Sequence, residues 1–364
     1  MNILFITRKY PPAVGGMELF SYELYGALAA KTDVRLMKWS GHGRFKAVVV
    51  ALPYLFVRSF WAMLRGRSDI IHVNDGLLAP CGYVLSRMFR RPFTVVIHGL
   101  DITYKNPLFR AVVPWTVRRA DTVFCISRAA ADEAVKNGVA EANITVIPLA
   151  VRDELYGTSD RAALVEGLSL SKDSRILLTV GRLIKRKGAA WFIDAVLPGL
   201  VKDYPHLIYL VVGDGPDRPD IESAIARHRL DKHVHLTGRL SDELRAAAYN
   251  GADMFVMPNI SVQDDMEGFG LVLLEASLCK LPVVAAGIEG IKDAIADGKN
   301  GILVPEQDAS AFDRTIRKFL DDRRYAKQFG EQSRRYTLDH YRWPVIADKI
   351  IDQYEHLQSG RQNT

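Results

Sequence analysis

Two glutamates, Glu267 and Glu275, stand eight residues apart around the run Gly268-Phe-Gly-Leu-Val-Leu-Leu274. Gly268, Phe269 and Gly270 read as a loop, and Leu271 to Leu278 as a buried helix, which puts Glu275 about two turns from Glu267. An unpaired carboxylate among leucines and alanine is costly, so Glu275 needs hydrogen-bond partners. Vicinal hydroxyls such as those of a ribose would suit it. Glu267, at the loop mouth beside the helix amino end, is placed to accept from sugar hydroxyls. The plain alternative is a helix-capping Glu267 with an incidental buried Glu275.

A second chemistry is anion binding. In Val180-Gly-Arg-Leu-Ile-Lys-Arg-Lys-Gly188, Arg182 and Lys187 follow an apolar run that ends at Gly181. A guanidinium fork and a point ammonium there could neutralise the phosphate oxygens of a leaving group, if the loop is more than a solvated basic turn. Near the amino end, Lys9-Tyr-Pro-Pro-Ala-Val-Gly-Gly-Met-Glu18 holds the chain extended at its prolines. Its adjacent Gly15 and Gly16 would let backbone approach a ligand at the start of a helix, or simply mark a turn. Gly213-Asp-Gly215 and His98 are further candidates.

These residues share a position. Short apolar runs alternate with helical stretches through both halves: 2–7, 34–37, 70–73, 93–98, 122–127 and 144–147, then 176–181, 208–213, 234–236, 254–258, 282–285 and 302–304. Continuous apolar runs of this length predict parallel strands buried on both faces. Two consecutive sets predict an α/β chain of two doubly wound domains, facing each other across a deep cleft. The expected boundaries are 1–155, a linker at 156–174, and 175–342. Such sheets bind ligands at the carboxyl ends of their strands, where Gly15-Gly16, His98, Gly181-Arg182, Gly213-Asp-Gly215 and Glu267 all fall.

With these motifs the chain resembles the family-four retaining glycosyltransferases, the glycosyl transferases group 1 with an E-x7-E signature and the GT-B architecture. The matching pieces are the Pro-Pro-x-x-Gly-Gly loop, His98 in a His-Gly-x-Asp turn, Gly-Arg-Leu with Lys187, Gly213-Asp-Gly-Pro216, Ala252-Asp253 before a strand, Glu267 with Glu275, and Pro282-Val-Val-Ala285. The flavour is that of bacterial cell-envelope enzymes, including phosphatidylinositol mannosyltransferases. The resemblance implies a transferase that moves a sugar, with a hexose expected, from a nucleoside diphosphate (UDP, GDP or ADP) to an envelope glycan or lipid-linked acceptor.

Residue by residue, the resemblance implies that Gly16, beside Gly15, lies against the donor diphosphate and that Arg182 and Lys187 hold the distal phosphate. Glu267 would contact donor-sugar hydroxyls, and the backbone of Gly268, Phe269, Gly270 and Leu271 would bind sugar and phosphate. Glu275 would take the ribose hydroxyls, Gly181, Gly213 and Gly215 would line the donor site, and Arg239 and Leu240 would border the base. His98 would sit near the donor sugar and the acceptor nucleophile. A carboxyl-terminal helix at about 343–357 would cross back onto the first domain. The stretch from Pro258 to Glu267 is longer than the common form and adds Asp264 and Asp265 at the sugar end.

Several classes are excluded. No two aspartates are separated by one residue, and no phosphate loop of the G-x-x-x-x-G-K-[ST] type occurs. Leaving-group charge would then fall to Arg182, Lys187 and backbone dipoles, so no metal or other cofactor is expected. Cys81, Cys125 and Cys279 lie in or beside apolar runs without CxxC spacing, which fits a reducing, cytoplasmic compartment. The first eight residues do not read as a signal peptide.

Charge is uneven: residues 1–150 hold 19 Lys and Arg against 10 Asp and Glu, and the remainder 29 against 32. Arg44, Arg58 and Arg65, at multiples of seven, share a helical face beside Phe45, Val48, Leu52, Phe56 and Phe60. That reads either as an interfacial element on the inner membrane surface or as a core-covering helix with solvated arginines. The rival functions are a nucleotide-sugar epimerase or phosphorylase of the same fold and a non-catalytic sugar- or membrane-binding scaffold. Nucleic-acid binding lacks a recognisable module.

Overall fold

The computed structural model describes residues 1–13, 15–39, 46–99, 102, 107–152 and 161–362. In chain order the first half holds β1 (Asn2–Thr7), α1 (Gly16–Ala29), β2 (Asp33–Lys38), α2 (Lys46–Arg65), β3 (Ile70–Val73), α3 (Ala79–Phe89), β4 (Phe93–Ile97), α4 (Pro107–Val117), β5 (Thr122–Cys125), α5 (Arg128–Lys136) and β6 (Ile144–Val146). The second half holds α6 (Arg161–Gly167), β7 (Arg175–Val180), α7 (Ala189–Ala195), α8 (Leu197–Asp203), β8 (Leu207–Val212), α9 (Arg218–His228), β9 (Val234–Gly238), α10 (Asp242–Gly251), β10 (Met254–Met257), α11 (Leu271–Leu278), β11 (Val283–Ala286), α12 (Ile291–Ala294), β12 (Ile302–Val304), α13 (Ala309–Asp321), α14 (Arg323–His340) and α15 (Trp343–Gln362).

The chain divides into two units, residues 1–149 with α15 and residues 150–342. Each has a six-stranded parallel sheet, ordered β2-β1-β3-β4-β5-β6 in the first and β12-β11-β10-β7-β8-β9 in the second. Central strands such as β3, β4, β8 and β10 are buried at every residue, whereas edge strand β2 alternates between covered and exposed positions. Strands covered by helices on both faces leave no room for polar alternation, which is why the central ones read as near-continuous apolar runs, with buried exceptions such as the hydrogen-bonded His72 and Thr94. β9 runs on to Gly238, whose φ of 68° turns the chain at the sheet edge.

Helix starts differ in how they are capped. The side chains of Ser127, Ser241, Asp308 and Asp322 cap α5, α10, α13 and α14. By contrast, α1 and α11 begin after Gly15 and Gly270 with no side-chain cap, which leaves their first N–H groups available at the carboxyl end of a sheet.

α15 belongs to the first unit. It packs on α1 through Trp343 and Phe20, whose rings are 5.5 Å apart, and buries Ile346, Ile350 and Tyr354. The stretch expected as a linker is only partly one. Residues 153–160 lie outside the described residues, and 161–167 form α6, packed on α10 in the second unit. Arg161 anchors α6 by donating to the Gly251 and Ser174 carbonyls and to Asp253. Among the described residues, no helix is long and apolar enough to cross a membrane.

Candidate active site

In the second unit the loops leaving β7 and β10 are fastened to each other. The Ile260 N–H donates to the Arg186 carbonyl at 2.9 Å, and Gly188 (φ 68°) packs so closely on the Pro258 carbonyl that a Cβ there would overlap it. Between these loops lies Glu267, with its side chain 9% exposed. Its Oε2 accepts from Lys187 Nζ, from Arg186 Nη1 and, at 3.0 Å, from Asn259 Nδ2. Burial alone would push this carboxyl up, but the Lys187 and Arg186 cations outweigh it and hold Glu267 below the usual carboxylate range.

The surroundings extend the cluster. Arg186 also donates to Asp265 Oδ1 at 2.9 Å, so one of the additional acidic residues of the 258–267 stretch is tied to the cation loop. The Glu267 N–H donates to the Glu289 carboxylate, and the Gly290 N–H to the Glu267 carbonyl at 3.1 Å. Glu289 adopts a φ of 45°, and burial pushes its carboxyl up. Asn259 is 1% exposed, and its Oδ1 has no hydrogen-bond partner among the described residues.

Behind Glu267, Gly268 and the buried Phe269 lead into Gly270 (φ 88°) and Leu271, the first residue of α11. Glu275 is half-buried rather than enclosed, and its Oε2 accepts from the Tyr249 hydroxyl of α10 at 2.7 Å. The partner that its apolar helix demanded is thus a phenol from within the same unit.

The remaining donor-side residues gather at the same end of the sheet. The Gly181 N–H donates to the Val212 carbonyl at 2.9 Å, Leu183 N–H to Asp214 at 3.0 Å, and Gly213 N–H to Gly238 at 2.8 Å. These bonds put Gly181, Gly213 and Gly215 side by side, with Arg239 and Leu240 next along. The two expected phosphate cations differ in state. Lys187 is paired with Glu267, whereas Arg182 is exposed and has no ion pair among the described residues.

In the first unit, Gly15 and Gly16 open α1, and Lys9 pairs with the buried Glu18 at 2.8 Å beside them. His98, just past β4, donates from Nε2 to the Asn74 carbonyl at 3.0 Å and packs edge-on against Phe20 of α1 at 4.9 Å. His98 therefore packs against α1 about one turn along the helix from Gly16. Asp101 of the His-Gly-x-Asp turn falls outside the described residues.

Arg186, Asn259, Glu289 and Tyr249 were not singled out in the sequence. Asn259 and Glu289 do follow β10 and β11 within a few residues, the position that flagged the others.

A family model described as "Glycosyl transferase 4-like domain" matches residues 15–150, and one described as "Glycosyl transferases group 1" matches residues 160–336. The GDP-mannose-dependent alpha-(1-6)-phosphatidylinositol monomannoside mannosyltransferase of Mycolicibacterium smegmatis is 27% identical over 99% of this chain and 99% of that protein. Among solved structures, sucrose-phosphate synthase from Thermosynechococcus elongatus superposes with a TM-score of 0.74 at 24% identity, covering 99% of this chain and 100% of that one. HepE of Anabaena in complex with UDP gives 0.76 at 20%, covering 98% and 100%. With two family models spanning both units and this fold, the chain belongs to the glycosyl transferases group 1 and is a glycosyltransferase of GT-B fold.

Proposed function

We propose that this glycosyltransferase retains the anomeric configuration, works without a metal ion, and moves a sugar from a nucleoside diphosphate to a lipid-linked or other cell-envelope acceptor at the inner face of a membrane. The observation that carries the donor side of this reading is the Lys187–Glu267–Arg186 cluster beside the uncapped start of α11. Free N–H groups at a helix amino end suit phosphate, and Lys187 and Arg182 add fixed positive charge where the leaving group gains negative charge. Glu275, on the same helix, is the acceptor for ribose hydroxyls, and Glu267 and Asn259 are the acceptors for the sugar.

In the reaction so read, the bond from the anomeric carbon to the phosphate oxygen breaks as the bond to the acceptor oxygen forms on the same face. The acceptor proton passes to the leaving phosphate oxygen, so no protein base needs to be consumed. Charge that a divalent ion would otherwise carry is met by Lys187, Arg182 and the α11 amides. The mannosyltransferase relative, named for GDP-mannose and a phosphatidylinositol mannoside, supports a lipid-linked acceptor. It leaves the base of the donor open, since HepE was solved with UDP.

The test is a thermal-shift panel with UDP, GDP, ADP and CMP, each with and without EDTA. A bound diphosphate at about 100 times its dissociation constant stabilises the folded state by about 2.7 kcal/mol. One diphosphate that shifts the melt equally with EDTA supports the metal-free donor site. A shift abolished by EDTA overturns metal independence, and no shift with any of them overturns the donor site. The anomeric configuration of the product, read by NMR, decides retention.

A further inference from the structure

α2 has two distinct faces. Ala51, Leu55, Ser59 and Met63 are buried towards the sheet, while Val50, Tyr54, Val57, Trp61 and Leu64 are each 40–54% exposed. Their alternating four- and three-residue steps draw one apolar stripe down the outside of the helix. Arg58 and Arg65 stand beside it, stacked on Tyr54 and Trp61 with guanidinium carbons 5.5 Å from the ring centres. Arg44, which the sequence placed on this face, lies outside the described residues.

The stripe continues onto two neighbours. Phe60 meets Phe89 of α3 at 5.6 Å, and Tyr83 of α3 meets Trp115 of α4 at 5.2 Å. α3 leaves Val84 and Met88 exposed, and α4 leaves Val112 and Trp115 exposed, with Arg119 just 3.8 Å over the Trp115 ring. Across α2, α3 and α4 the sequence contains no aspartate or glutamate. α1 and α15 of the same unit carry Glu18, Glu23, Asp348, Asp352 and Glu355. Single exposed apolar residues are ordinary, but a run of them over three packed helices with charge of one sign is not.

Between β2 and α2 lies a groove of about 540 Å³ lined by Arg35, Met37, Val57, Arg58, Trp61 and Arg65. Arg35 donates to the Ala62 carbonyl and Arg58 to the Tyr54 hydroxyl, and their other N–H groups, with those of Arg65 stacked on the Trp61 ring, line a groove suited to one phosphate whose substituent is apolar.

We propose that the α2–α3–α4 face docks on an anionic phospholipid bilayer, with the exposed aromatics at the headgroup level and the Arg35–Arg58–Arg65 groove holding a lipid phosphate. This deepens the membrane-acceptor reading above and rests on it. Arginines interleaved with tryptophan and tyrosine are the composition of interfacial anchors, and an acid-free face complements anionic lipid. A second copy of the chain is a poorer occupant, because a two-fold pairing would set arginine face against arginine face.

Co-sedimentation with vesicles tests this at about 0.15 M salt. The protein is expected to sediment with mixed phosphatidylglycerol–phosphatidylcholine vesicles and to remain free with phosphatidylcholine alone. Arg58→Ala with Arg65→Ala, and separately Trp61→Ala with Leu64→Ala, are each expected to weaken partitioning about tenfold. All four side chains are exposed, so the far-UV spectrum and the diphosphate-induced melting shift should be unchanged. Equal sedimentation of the variants, or binding indifferent to lipid charge, overturns the proposal. So does a dimer in sedimentation velocity that Trp61→Ala dissociates. If the unsubstituted protein fails to bind the anionic vesicles while its diphosphate shift is intact, docking alone is refuted and the transferase reading stands.

Discussion

Lys187 and Glu267 are 80 residues apart in the chain and meet in a buried ion pair at one end of the second sheet. The loops that carry them leave β7 and β10, which are hydrogen-bonded neighbours in that sheet although three strands apart in sequence. Parallel pairing aligns the carboxyl ends of the two strands, so their loops emerge together, and the Arg186–Ile260 and Gly188–Pro258 contacts close the remaining gap. Glu267 is therefore held ionised before any ligand arrives. In the proposed reaction, a donor phosphate competes with it for Lys187.

Lys187→Ala separates the structural from the chemical part of this pair. Removing one member of a buried pair costs about 3–5 kcal/mol when nothing replaces it. Here Arg186 still reaches Glu267, so about 2 kcal/mol is expected in urea unfolding followed through the second unit. If Lys187 also meets the leaving phosphate, kcat falls by about 10² or more. A destabilised variant with normal kcat would reduce Lys187 to a structural partner of Glu267.

The Tyr249–Glu275 bond gives a second separation. Tyr249→Phe removes the donor but keeps the carboxylate, and should leave nucleoside diphosphate affinity within a few-fold. Glu275→Ala removes the acceptor for the ribose and should weaken that affinity about tenfold or more, since a hydrogen bond to a charged group contributes about 1.5–3 kcal/mol. Calorimetric titration of both variants is the measurement. Equal losses would mean that Glu275 acts through α10 packing instead of touching the nucleotide.

How much of this was legible in the sequence follows from the physics of each part. The run Leu207–Val212 is apolar at every position because helices cover both faces of β8, and such a run identifies itself. Gly181, the first residue beyond β7, followed from the same logic, whereas Glu267, ten residues beyond β10, stood out by its spacing from Glu275 across the Gly268-Phe-Gly270 loop. The choice among nearby cations did not. Arg182, Lys185, Arg186 and Lys187 fall within six residues, and only the folded loop turns Arg186 and Lys187 inward while leaving Arg182 exposed. Nor could spacing show that Tyr249, on another helix, would meet Glu275. Side-chain pairing across elements depends on the orientation of both backbones, and a one-dimensional pattern carries only one at a time.

Gly213 tests the packing beneath the site. Its φ is 140°, and a Cβ there would overlap the Gly181 carbonyl, which lies just past the neighbouring strand β7. Gly213→Ala should therefore push the β7 and β8 loops apart as well as strain its own backbone, at a cost of about 1–3 kcal/mol for the backbone conformation. Thermal melting should fall, and the diphosphate-induced shift should shrink with it. A variant with unchanged melting and unchanged nucleotide shift would show that the close approach of these two loops is dispensable.

His72 predicts an acid sensitivity of the first unit. It is fully buried on β3, where the Tyr354 hydroxyl of α15 meets Nδ1 at 2.7 Å and Asn74 Oδ1 lies 3.4 Å from Nε2. Burial lowers its pKa from 6.5 to about 4, against the Asn74 hydrogen bond and with a smaller push from His98. Because the folded value lies below the unfolded one, the unfolded chain takes up a proton first as pH drops. Stability is therefore undiminished above about 6.5, falls between 6.5 and about 4, and levels off below. At 1.36 kcal/mol per unit, that window is worth about 3 kcal/mol. His72→Gln should lower stability at pH 7 yet flatten this slope, as read by urea unfolding at a series of pH values. An unchanged slope would assign the acid sensitivity to carboxylates elsewhere and free the α15 contact from any role in it.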